Sequence, residues 1–114
     1  MKNYIETILH AFSSMDIEFL RLQLKEIYSY QDATKEVFLR ELEKVFVNFQ
    51  NAGDTSIVIY EGQCNGKTCP NFGKRGYRFV GNNSLRYLDL IFETKGDDII
   101  DIYSCAKFKS DREI

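Results

Sequence analysis

Cys64 and Cys69 are separated by four residues, in a stretch that also holds the only proline, Pro70, and an isolated Phe72. Thiolates at this spacing can bind zinc, and Cys105 could supply a third ligand. They could also close a small redox disulfide, with Lys67 and Lys74 favouring the thiolate form. The spacing is not the C-x-x-C of thioredoxin-like sites. A third alternative is ordinary thiols, with Cys105 a small core hydrophobe. In a simple up-and-down sheet Cys105 falls at the edge far from Cys64, which speaks against a three-thiolate site. We therefore expect no metal and no cofactor, with Cys64 and Cys69 the ligands to test first.

Residues 62–88 carry five cations and no carboxylate: Lys67, Lys74, Arg75, Arg78 and Arg86. They interleave with Phe72, Tyr77, Phe79 and Tyr87. Cations meet phosphates and aromatic faces stack on bases, so the pattern fits anion or single-strand RNA binding. The net charge of the whole chain is −2, which opposes non-specific binding to nucleic acid. Alternation also places Arg78 and Arg86 on faces opposite to some of these aromatics.

The candidates for proton transfer are Asp89, Asp101 and His10. Imidazole titrates near neutrality. Two carboxylates across neighbouring strands can split their pKa values and act as acid and base. Arg78 or Arg86 could instead balance them on a solvated sheet face. There is no Gly-rich phosphate loop, no G-x-S-x-G and no H-E-x-x-H.

The elements that must position these residues follow from periodicity. Tyr4, Ile5, Ile8, Leu9 and Phe12 recur at helical spacing over 3–13. Ser13 and Asp16 resemble a capping box. Ile17, Leu20, Leu24 and Ile27 predict a second helix over 16–30. Asp32 or Thr34 can cap a third over 35–51, with its stripe at Phe38, Leu42, Val45 and Phe49 and its end at Gly53. After Gly53 the period becomes 2. Strands are expected at 56–61, 76–80, 85–94 and 98–108, with a turn at 81–84 and a hairpin loop at 95–97.

The class expected is α+β: three N-terminal helices packed on one face of a four-stranded antiparallel meander, in a single 114-residue domain. The opposite face would carry Ile57 or Val58, Tyr87, Ile91, Tyr103 and Ile99, too apolar for open solvent. It should meet a dimer partner or line a pocket. No apolar leader and no membrane-spanning stretch is visible, which with three cysteines leads us to expect a cytoplasmic protein.

The closing hairpin, Tyr87-Leu88-Asp89-Leu90-Ile91-Phe92-Glu93 followed by Asp98-Ile99-Ile100-Asp101-Ile102-Tyr103, with helices before it, resembles the cystatin-like or NTF2-like α+β fold. The chain lacks a strand pair between the early helices and the inward His/Asp pair of the enzymes of that group. The resemblance implies a pocket between helices and sheet, or a dimer, and leaves catalysis open. We therefore expect a small binding or interaction module, most simply a homodimer. Tyr60, Phe72, Tyr87, Ile91 and Tyr103 would form its interface or bind a small molecule. The alternatives are a small pocket enzyme, a metal or redox protein, and an anion binder.

Overall fold

The computed structural model describes residues 4–64, 74–104 and 108–110. Helix α1 is Tyr4–Ser13, α2 is Ile17–Gln23 and α3 is Lys35–Asn51. Strands follow at Ile57–Cys64 (β1), Arg75–Gly81 (β2), Tyr87–Lys95 (β3), Asp98–Ser104 (β4) and Phe108–Ser110 (β5). The protein is thus α+β, with β1 to β4 an antiparallel meander.

Helix α3 has the span that its sequence predicts. Thr34 caps it, accepting from the backbone N–H of Val37, and satisfies a donor that no helical carbonyl can reach. Phe38, Leu39, Leu42, Phe46 and Phe49 make its buried stripe. Gly53 follows the helix at φ +97°, a conformation that costs glycine little.

Helix α2 is shorter than predicted. Asp16 caps it through Phe19 N–H at 3.0 Å, and it stops before Leu24, whose backbone is extended. Ile27, counted in the helical stripe, is instead 81% exposed. Tyr30 explains the stop. It is fully buried, its ring lies 5.5 Å from that of Phe38, and its hydroxyl donates to the Lys25 carbonyl at 3.2 Å. The capping box also resolves differently: the Ser13 hydroxyl donates to the Ile57 carbonyl at 2.9 Å, fastening α1 to β1.

Tyr30 and Ala33 exchange backbone bonds of 2.8 and 3.1 Å around Gln31 and Asp32. Both central residues have positive φ, 54° and 60°. This is the geometry of a two-residue hairpin turn that favours Asn-Gly. A side chain in that region costs about 1–2 kcal/mol. Asp32→Gly should therefore raise stability by about 0.5–1 kcal/mol, after allowing for the freer unfolded chain. Urea unfolding checks this, and a lower midpoint would contradict it.

The sheet order is β4-β3-β2-β1-β5. The sequence reading has one last strand over 98–108. The structure instead has two segments on opposite edges: β4 pairs with β3, and β5 pairs with β1. A flat sheet would separate those edges by four strand spacings, roughly 19 Å. The four steps from Ser104 to Phe108 reach at most about 14 Å. The sheet must therefore curl, turning one edge toward the other.

The core joins Ile8, Phe12, Leu20, Leu39 and Phe46 to Ile57, Phe79, Leu90, Phe92, Ile99 and Ile102. The Phe12 ring stacks on Phe79 at 4.5 Å and meets Phe46 edge-on at 5.8 Å. Each such buried side chain contributes about 1.5–3 kcal/mol. Of the alternatives Ile57 or Val58 for the opposite face, Ile57 belongs to this core and Val58 lies on that face, while Ile99, placed there by alternation, also belongs to the core. For Ile99 the cause is a register shift at Glu93/Thr94: Asp101 pairs with Glu93, but Ile99 pairs with Thr94. The extra residue turns Ile99 over.

Candidate binding face

The strand registers fix which residues share the second sheet face, because directly paired residues point the same way. Val58, Val80 and Tyr87 form one row. Tyr60, Arg78 and Asp89 form the next. Gly62, Gly76, Ile91 and Tyr103 form a third, and Glu93 pairs with Asp101 beyond it.

Three of the interface candidates, Ile91, Tyr103 and Tyr87, thus share a face with Tyr60. Their environments differ. Tyr87 is 62% exposed and Val58 43%. Tyr60 and Tyr103 are half-buried. Ile91 is fully buried, apart from the main core, in the row with the two glycines. It is a packing residue rather than a contact surface. Phe72 lies outside the described residues.

Arg78 and Asp89 dominate the middle row. Arg78 Nε donates to Asp89 Oδ1 at 2.8 Å and Nη2 donates to Oδ2 at 3.0 Å. This two-point fit is the strong form of the interaction. Both side chains are mostly buried, 17% and 13% exposed. The guanidinium carbon lies 4.4 Å from the centroid of the Tyr87 ring. Asp89 thus holds Arg78 as a platform under an exposed tyrosine, adding a cation–π contact. The turn expected at 81–84 would set Arg78 opposite Tyr87; the observed register, two residues further along β3, sets it opposite Asp89.

The remaining cations are engaged too. Lys74 Nζ donates to Glu93 at 2.7 Å, and Arg75 meets Glu61 at 3.2 Å. Arg86 lies close enough to Asp54 to help hold that carboxyl charged. Lys67 lies outside the described residues. A segment cationic in sequence is thus largely neutralised in space, because each strand faces carboxylates contributed by its neighbours. This lowers its attraction for a polyanion.

The proton-transfer candidates do not converge. His10 is exposed in the last turn of α1. Asp89 and Asp101 are not across from each other: Asp101 faces Glu93, four residues along β3 from Asp89, or about 13 Å at strand rise. Asp89 is occupied by Arg78, and Asp101 accepts from Gln31 N–H at 2.9 Å.

Two hollows border these residues. An open cleft of about 430 Å³ is lined by Gln31, Asp32, Glu93, Asp101, Tyr103 and Ser104. Hydrogen bonding to Glu93 raises the Lys74 pKa, and burial raises that of Tyr103. Both groups move away from neutrality, the wrong direction for acid–base work. A second hollow between α3 and β3, lined by Phe38, Leu42, Val45, Leu88 and Leu90, holds about 90 Å³. Ligand pockets usually hold about 300–1,000 Å³, so this helix–sheet slot is small for a metabolite.

The topological objection to a Cys64–Cys105 site does not hold. Cys64 pairs with Phe108, so β5 begins beside it, three residues after Cys105. Cys69 and Cys105 lie outside the described residues. Among the described residues no group of three His, Cys, Asp or Glu side chains could hold a metal ion. Among them also, no helix is long and apolar enough to cross a membrane.

No protein-family model, curated protein or solved structure matches the chain.

Proposed function

We propose that this protein is a non-enzymatic binding module whose working surface is the second sheet face, at the end marked by Tyr60, Arg78 and Tyr87. In this reading the three helices cover the other face, on a scaffold of cystatin-like or NTF2-like kind, and the protein works in the cytoplasm. The observation that carries the proposal is the platform. An exposed tyrosine rests on an arginine whose own charge is met by a buried carboxylate. Tyr and Arg are the residues that most often anchor protein interfaces. Fixing them before binding lowers the ordering cost of association.

A catalytic role finds less support, because Asp89, Asp101 and His10 are dispersed and burial raises the pKa of Tyr103 in the open cleft, away from neutrality. An RNA-binding role finds less support because the cations of β2 are paired.

The test is a peptide-display selection against the wild-type protein. Binders should lose about tenfold or more in affinity against Tyr87→Ala, and little against Leu22→Ala, an apolar control more exposed than Tyr87. Binders insensitive to Tyr87→Ala would overturn the assignment of this face.

A further inference from the structure

We infer that the partner of this face is a second copy of the chain, docked face to face about a two-fold axis. The inference rests on the sheet face being the binding surface and adds the identity of its occupant.

The first reason is charge. The six residues of the first two rows are Val58, Val80, Tyr87, Tyr60, Arg78 and Asp89. They carry one cation and one anion, bound to each other, so the patch is neutral. It offers no field to draw in a polyanion, a basic tail or a charged lipid surface.

The second reason is symmetry. The Arg78–Asp89 pair runs across the strands, between β2 and β3. A two-fold axis in the interface plane and perpendicular to that pair reverses it. Arg78 of one copy then lies over Asp89 of the other, and Asp89 over Arg78. An in-plane ion pair is thus its own electrostatic complement, as an isologous interface requires. The same axis sets Val80 against Tyr87 of the other copy, with Val58 at the rim of the contact. Leu85, 71% exposed just before β3, borders the row that these three residues share.

The third reason is composition. Val58 and Tyr87 are two of the large exposed apolar residues of the described chain, and they occupy one row. Burying both on each copy removes apolar surface from water without stranding a charge. The patch is small beside a standard interface of about 800 Å² per partner. The dimer should therefore be reversible and concentration-dependent.

The experiment is sedimentation equilibrium from micromolar to near-millimolar concentration, on the wild type and on Val58→Asp and Tyr87→Lys. Circular dichroism establishes that each variant is folded. The expected result is a wild-type monomer–dimer equilibrium, with each variant weakening association about tenfold or more. A wild type monomeric throughout would overturn the dimer. If it still bound selected peptides through Tyr87, the face would remain the binding surface and only its occupant would be wrong. A wild type whose association both variants leave unchanged would overturn this interface.

Discussion

Phe79→Ala should cost about 3–5 kcal/mol of folding free energy. Phe79 is fully buried at the centre of β2 and stacks on Phe12 at 4.5 Å. The Phe92 ring lies 6.2 Å away and the Tyr77 ring 6.4 Å. Truncation removes the transfer free energy of the ring and leaves a cavity bounded by side chains from a helix and two strands. These elements are fixed by backbone hydrogen bonds, so the hole cannot collapse fully. Against a total stability of about 5–15 kcal/mol, the loss should bring the variant close to unfolding. Urea denaturation measures it. Phe79→Leu should recover more than half, since it refills most of the volume. Equal stability of Phe79→Ala and wild type would mean that the α1–β2 contact is not the core.

Asp89→Ala should cost about 2–3 kcal/mol and should also weaken binding at the sheet face. The substitution leaves the Arg78 guanidinium largely desolvated and without its two-point acceptor. Hydrogen bonds to charged groups contribute about 1.5–3 kcal/mol, and a stranded charge adds a desolvation cost. Arg78→Met should cost less, because methionine covers the sheet without burying a charge. The double variant should be more stable than the sum of the single losses predicts, with a coupling of about 1.5–3 kcal/mol. The binding effect has a separate origin. Without Asp89, Arg78 loses the two-point fit that fixes it under the ring of Tyr87, and the anchor is held less firmly. A coupling near zero in the double-mutant cycle would reduce the pair to a surface ornament of small energy.

Stability should also fall at both ends of the pH range. At the acid end the carboxylates are Asp98 and Asp54. A hydrogen bond from Lys25, joined by one from Tyr28, lowers the Asp98 pKa despite some desolvation. Burial works against the charge on Asp54, but bonds from Ser84 and Asn83 overcome it and its pKa is lowered too. A lowered folded pKa means stability present above the unfolded value, near 4, and lost as pH falls through the folded one. At the alkaline end burial pushes Tyr4 up to about 12, with Tyr30 and Asp98 adding to the effect. The unfolded chain ionises first, so stability declines from about pH 10 upward. Thermal unfolding from acid to alkaline pH should give a plateau between these limits. Asp98→Asn should flatten the acid limb. An unchanged limb in that variant would remove Asp98 from the account.

Much of this architecture was legible because it depends on local pattern. The stripe of α3, the change of period after Gly53 and the hairpin at 95–97 are properties of neighbouring residues. The features that were not legible depend on distant ones. Helix α2 stops because Tyr30 is drawn into the core against Phe38, and nothing within 17–30 signals that. Ile99 changes side because of one register shift. Strand β5 lies beside β1 only because the sheet curls, a consequence of strand twist summed over the whole sheet. The candidate site was half legible. Its tyrosines were found by their type and alternation. The role of Arg78 was not, because its partner Asp89 was read as a proton-transfer candidate rather than as the group that holds it.

The most direct test of the central claim is an amide NMR spectrum followed from near-millimolar to micromolar protein. If the sheet face makes the contacts, the shifts that change on dilution will cluster at Val58, Tyr60, Arg78, Val80 and Tyr87. The amides around Gln31 and Asp32, and those of α3, will stay fixed. Changes confined to the cleft at Asp101 and Tyr103 or to the slot beside Phe38, or no change anywhere on dilution, would contradict the claim.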